Sequence, residues 1–402
     1  MGRGDVMKNP YRPGAALTPS FLAGRDRERR RFAAILRSAP EIPANIRLTG
    51  LRGVGKTVLL KQLESDAEEG LGWSTSRVQI EPRHNTNDAL VTLLSERAKQ
   101  TGERLSRKVR LRAAVRDVAV AARGALSVSI EDIHFQLEPG DTRQRDLVTA
   151  LFHTVEVAMK SGRDGHMLML DEAQLLRDDR DRNGQHPLSL LVAAVNSMQE
   201  HAVPIGLILC GLPTLRTNLL KARTYSERMF RGEEIGSLGP DQARDAFTRP
   251  LEGTNVTADS DLVDRVIEEV EGYPFFIQLW GAELWDAASD AGTERFSVRL
   301  LDEVEPDIYR RLDRDFYDGR VEALSPAEAD LLVSTARCPY PPLRTADIQN
   351  QSEKREANVN VLMGRLTEQG VVFRIQKGQY EYTAPKFHGY LQRRTGRKPT
   401  GR

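Results

Sequence analysis

The chain has 402 residues, 40% of them apolar and 29% charged, enough to bury sizeable cores and to divide into two or three domains. Lysine and arginine number 58 against 57 aspartate and glutamate, so a net charge of +1 leaves any nucleic-acid contact to local basic patches. Two distant cysteines, Cys210 and Cys338, and seven scattered histidines supply neither a disulfide framework nor a metal pattern, which fits a reducing compartment. The opening stretch lacks the apolar core of a signal peptide, and no segment approaches the roughly 18 apolar residues of a membrane span. A cytoplasmic location with no membrane partner is therefore expected.

Residues 1–20 carry three prolines and three glycines without an apolar period and read as a flexible or draped arm. A first domain is expected over 21–238. It opens with a surface helix from Gly24 to Arg37 that places Phe32, Ile35 and Leu36 on one stripe. The strand IRLT from Ile46 leads into the loop GLRGVGKT and a helix, followed by a strand at Arg77–Ile80 and a helix from about Asn87. Residues 103–140 look inserted: Arg104 to Arg123 is strongly basic, and ALSVSIEDIHFQLE alternates like a β-ribbon. The basic stretch is either a solvated helix face or a track for a phosphate backbone or a partner. A helix near Asp141–Lys160, the strand HMLMLDEAQ, a helix around Leu188–His201 and the strand IGLILCGLP resume the alternation, which predicts a mainly parallel sheet covered on both faces.

Residues 239–320 read as a helical subdomain. A third unit over 321–396 begins at the capping box Ser325-Pro-Ala-Glu328 and holds three helices, the last with Val359, Leu362, Met363 and Leu366 inward and Gly370 as its stop. VVFRIQ and QYEYT then form a hairpin about Lys377-Gly378. Three helices and a hairpin make a winged helix-turn-helix. On that fold Lys354, Arg355, Asn358 and Arg365 are outward readers or phosphate contacts on double-stranded DNA, with Arg374 and Lys377 on the wing and a basic tail at 397–402. A packing or autoinhibitory role for this unit is the alternative.

The strongest signal is Gly50-Leu-Arg-Gly53-Val54-Gly55-Lys56-Thr57, which fits G-x-x-x-x-G-K-[ST] between an apolar strand and an amphipathic helix entered through Val58. Glycines let successive backbone N–H groups curl round phosphates, the helix adds its positive end, Lys56 reaches the outer phosphates and Thr57 ligates Mg²⁺. The strand Met167–Leu170 delivers the second acidic element of such a site. Asp171 is placed on the Mg²⁺ shell, and Glu172 is placed to polarise the attacking water. ATP or ADP with Mg²⁺ is the expected ligand.

In its GRD box at Gly24–Asp26, GLRGVGKT, LDEAQLL and CGLPTL, the chain resembles AAA+ ATPases of the origin-recognition and STAND-related group, over nearly its whole length. The resemblance implies an α/β fold: an AAA+ P-loop core with parallel sheet, a helical lid and a C-terminal winged helix. It implies that Phe21, Leu22, Gly24 and Arg25 contact the adenine, and that the Gly272-Tyr-Pro274 segment contacts nucleotide and couples its state to the lid. No sensor is assigned at Cys210 and Gly211. An arginine finger, acting on a neighbouring subunit in a nucleotide-dependent homo-oligomer, falls on Arg228 or Arg231. The expected function is a slowly hydrolysing ATPase switch acting on DNA or a DNA-bound partner. A STAND-type signalling or defence switch and a transposition-regulator-like DNA-targeting ATPase are the alternatives.

Overall fold

The computed structural model describes residues 8–14, 17–115, 126, 128–136, 142–178, 184–222 and 226–396. By internal contact the chain divides into two compact units, one of residues 25–50 and 56–235, the other of residues 1–24, 51–55 and 236–402.

The first unit is built on five parallel strands: β1 Asn45–Thr49, β2 Trp73–Gln79, β3 Gly165–Asp171, β4 Ile205–Gly211 and β5 Arg231–Glu234, in the order β2-β3-β4-β1-β5. Every residue of β3 and β4 is buried, which explains their unbroken apolar runs in place of the alternation of a one-sided sheet. Helices Lys56–Gly70, Asn87–Val115, Thr142–Lys160 and Pro187–Glu200 connect these strands and supply the covering layers. Leu151, Leu168, Leu191 and Leu207 belong to its apolar core. Because β3, β4 and β1 are parallel neighbours, with Leu170 opposite Leu209 and Thr49 opposite Gly211, the loops that leave their carboxyl ends gather at one end of the sheet.

The segment 103–140 differs from expectation in two ways. Its first part simply prolongs the helix Asn87–Val115, where Arg104 is fixed by Glu68 at 2.8 Å and by the Thr75 carbonyl at 2.9 Å. Arg104 is therefore no free phosphate contact. The ribbon is replaced by a helix, Ile130–Gln136. Ser129 caps it: the Asp132 carboxylate accepts from the Ser129 backbone at 3.0 Å and the Ser129 hydroxyl accepts from the Asp132 backbone at 3.3 Å. A local cap thus outweighs a few residues of alternation that have no partner strand. The remainder of the basic stretch, 116–125, lies outside the described residues, as does the tail at 397–402.

The second unit is mainly helical. Helices Pro240–Thr248, Ser260–Val270, Pro274–Asp290 and Val298–Leu312 come first, with a two-residue parallel pair, β6 Thr257–Ala258 and β7 Arg295–Phe296. Helices Pro326–Ser334, Thr345–Ser352 and Glu356–Glu368 follow, with an antiparallel sheet of β8 Leu343–Arg344, β9 Val372–Gln376 and β10 Gln379–Tyr382 in the order β8-β10-β9. Val359, Leu362, Met363 and Leu366 are buried as expected, and the capping box at Ser325 and Glu328 forms. The strand β8 and the last helix, Phe387–Arg394, were not anticipated. One apolar core runs from Tyr11 through Trp280 and Tyr317 to Phe387. Of the arm, residues 8–14 are draped rather than flexible: Tyr11 is buried and donates its hydroxyl to the Phe247 carbonyl at 2.5 Å, and Asn9 donates to the Ala282 carbonyl at 3.1 Å. No helix among the described residues is long and apolar enough to cross a membrane.

Candidate functional site

The phosphate loop leaves β1 at Gly50, whose N–H donates to the Gly211 carbonyl at 3.3 Å. Gly53 and Gly55 have φ of 80° and 87°, a left-handed backbone that side chains disfavour and that turns successive peptide groups inward. Lys56 and Thr57 then open the helix Lys56–Gly70. Lys56 is only 8% exposed, and its ammonium donates to the Gly50 carbonyl at 3.0 Å, across the mouth of its own loop. Glycines at the strained positions, a helix start and a lysine folded over the loop are the donor set that a polyphosphate requires.

At the end of β3, Asp171 is buried and accepts the Glu172 backbone N–H at 2.9 Å. Glu172 is half-buried with φ of 55°, a left-handed conformation costing a non-glycine residue on the order of 1 kcal/mol and found preferentially at functional sites. Cys210, at the end of β4, ties these groups together. Its thiol pKa is pushed well above the usual range, by burial first and then by the charge of Asp171, with a contribution from an Asp171 hydrogen bond and from Glu172, while Lys56 pulls it down. The charge of Lys56 and those of the adjacent pair Asp171 and Glu172, distant from it in the chain, thus all act on one thiol. The sequence had assigned nothing to Cys210.

In the second unit, residues 51–55 of the loop have partners of their own. The Phe275 N–H donates to the Gly53 carbonyl at 3.2 Å, and the Arg52 N–H donates to the Thr383 carbonyl at 2.8 Å. Pro274 stands 3.9 Å from where a Cβ on Gly55 would lie. Arg320 lies over the Phe316 ring at 4.4 Å, and its pKa is lowered to about 10, by burial first and then by Arg52. The Arg52 Nε is itself buried without a hydrogen-bond partner, and among the described residues no carboxylate pairs with either arginine. Sequence reading missed Arg320 because its neighbour in space is distant along the chain.

The other expected residues are more dispersed. Leu22 and Gly24 are half-buried, and Arg25 is buried ahead of the first helix, with its pKa lowered by burial against the opposing pull of Glu28. Phe21 lies under the Arg249 guanidinium at 5.0 Å. Val54 is buried, and Thr57 and Val58 are half-buried. Arg228 and Arg231 are exposed. Arg355, Asn358, Arg365 and Lys377 are exposed too, whereas Lys354 is held by Asp330 at 2.7 Å. Arg393 and Arg394, at the end of the last helix, are committed as well, since Arg393 pairs with Asp313 and Arg394 with Asp318.

Residues 22–208 match the AAA ATPase domain family, and residues 314–391 match a family described only as a domain of unknown function, DUF8462. A comparison with curated proteins gives no match. Among solved structures, the Walker-type ATPase PABY2304 of Pyrococcus abyssi is similar over 96% of this chain and 99% of its own, at 18% identity and a TM-score of 0.58. The ORC2 protein of Aeropyrum pernix, in its ADPNP–ADP complexes, is similar over 94% of this chain and 97% of its own, at 15% identity and a TM-score of 0.57. Parallel sheet and phosphate loop together define an AAA+ P-loop NTPase fold, within which residues 22–208 are similar to the AAA ATPase domain family.

Proposed function

We propose that this chain binds ATP, hydrolyses it slowly, and uses the nucleotide state to govern its C-terminal region. The observation that carries this reading is geometric: Lys56 donates to Gly50, Gly50 to Gly211 at the end of β4, and Asp171 and Glu172 end the neighbouring parallel strand β3. The backbone of Gly50, Gly53, Val54 and Gly55 and the first turn at Lys56, Thr57 and Val58 hold the phosphates. Thr57 and Asp171 would hold Mg²⁺, which neutralises phosphate charge when bound. Among the described residues no group of three or more His, Cys, Asp or Glu gathers to hold a metal, so such an ion would rely on the nucleotide's own oxygens. Glu172 accepts the proton of the attacking water, and Arg228 supplies a guanidinium to a neighbouring copy. Leu22, Gly24 and Arg25 contact the base, and Pro274 reports occupancy. Residues 321–396 act as a winged helix on DNA or a DNA-bound partner.

A STAND-like switch that chiefly binds nucleotide is supported by one observation: loop residues Arg52 and Gly53 are hydrogen-bonded to Thr383 and Phe275 within one unit, so a ligand on the loop has levers on both segments. Turnover assays test the main reading. Glu172→Gln should retain ATP binding and lose turnover by about 100-fold or more, because an amide occupies the space of the carboxylate but takes no proton. Arg228→Ala should lower turnover without weakening binding, and the rate per chain should rise with protein concentration. Full activity in both variants would remove Glu172 as the base and Arg228 as the finger.

A further inference from the structure

The turn after Glu172 contains a side chain to which the motif assigns no role. Gln174 is 7% exposed and bridges two strand ends. Its Nε2 donates to Glu172 Oε2 at 2.5 Å, and its Oε1 accepts the Leu212 backbone N–H at 3.0 Å, just beyond β4. The amide orientation follows from chemistry: a backbone N–H only donates, so oxygen must face Leu212, and the nitrogen is left for the carboxylate. Space at β4 is reserved for it. A Cβ on Gly211 would lie 2.2 Å from Gln174 Oε1. The backbone of the turn is fixed as well, since Asn218 donates to the Gln174 carbonyl at 2.9 Å and to the Leu176 carbonyl at 3.3 Å.

We infer that Gln174 is the positioning residue for Glu172, holding one carboxylate oxygen so that the other faces the attacking water. This rests on the reading of Glu172 as the proton acceptor. The amide occupies Oε2 and leaves Oε1 free to take the proton. Because Gln174 is anchored to β4, the strand that also carries Cys210 beside Asp171, the carboxylate is referenced to the sheet and not only to its own left-handed turn. A flexible glutamate on a loop would spend much of its time elsewhere; a charge-assisted bond from a buried, anchored amide removes that freedom.

Four variants test it, with ATP turnover and ATP affinity measured for each and folding checked by thermal melting. Gln174→Ala should lower kcat about tenfold or more, the loss expected when a hydrogen bond to a charged group disappears, and leave KM for ATP nearly unchanged. Gln174→Glu keeps an acceptor for Leu212 and the same length but sets a carboxylate against Glu172. It should lose at least as much activity, whereas a residue that merely held the turn would tolerate the change. In a Glu172→Gln background, Gln174→Ala should add no further loss. Wild-type kcat in Gln174→Ala or Gln174→Glu, with Glu172→Gln inactive, overturns the positioning role and leaves the base intact. Wild-type turnover in Glu172→Gln overturns the base, and the inference falls with it.

Discussion

Two contrasting kinds of buried ionisable side chain occur in the first unit. Lys56 and Asp171 are buried at the open ends of strands, where a charged ligand can repay their desolvation. His166 is buried inside β3 with no such prospect: Ser74 reaches its Nδ1 at 2.8 Å, and its Nε2 has no hydrogen-bond partner among the described residues. Burial first, then the positive charge of Arg104 against the opposing pull of Glu68, lowers its pKa to about 3. The folded ring therefore stays neutral at pH values where the unfolded ring, near 6.5, takes a proton. Stability supplied by the neutral ring is complete above about pH 6.5 and declines as pH falls towards 3. Between pH 7.5 and 5.0, urea denaturation should show a loss of about 2 kcal/mol that His166→Leu lacks, once other groups are subtracted. Equal pH dependence in both proteins would contradict this. The contrast bears on what a sequence discloses. Gly53, Gly55, Lys56 and Thr57 were legible because phosphate chemistry compresses them into one short spacing, and Asp171 with Glu172 because they end an apolar strand. Gln174, Cys210 and Arg320 were not, since their meaning depends on strands and loops that meet only after folding.

At the level of elements, buried strands and capped helices were readable because burial and capping leave marks within a few residues. β3 and β4 announce themselves as apolar runs, and Ser325 with Glu328 fixes a helix start. The segment at 130–136 was misread because alternation alone cannot tell a ribbon from a short capped helix, and the Ser129–Asp132 exchange decides for the helix. Tyr11 lay in a stretch without periodicity, and its anchoring at Phe247 is a contact between distant parts of the chain. The helix Glu356–Glu368 was read correctly on its inner face, while its outer face needs one change. Lys354 is held by Asp330, so the DNA reading is better tested on Arg355, Arg365 and Lys377, which are exposed. If residues 321–396 bind duplex DNA, combined Arg355→Ala, Arg365→Ala and Lys377→Ala should reduce affinity and flatten its salt dependence, with little loss of stability. Anisotropy titrations at several salt concentrations give the answer, and absence of binding at low salt with and without ATP would leave the region as a packing or switching module.

For the whole molecule, a net charge of +1 gives no long-range field to recruit a partner, so local geometry must carry specificity. The input proposed for the protein is nucleotide held by the glycine loop that follows β1. Everything proposed downstream, from the Glu172 base to the winged helix, depends on that input. Titration calorimetry with ATP and Mg²⁺ on the wild-type chain and on Lys56→Ala tests it most directly. Saturable binding is expected of the wild type, and its loss, by about 100-fold or more, in a variant that still melts cooperatively, because the ammonium that reaches the Gly50 carbonyl has been removed. Equal affinity in the two proteins, or no binding by the wild type, would contradict it.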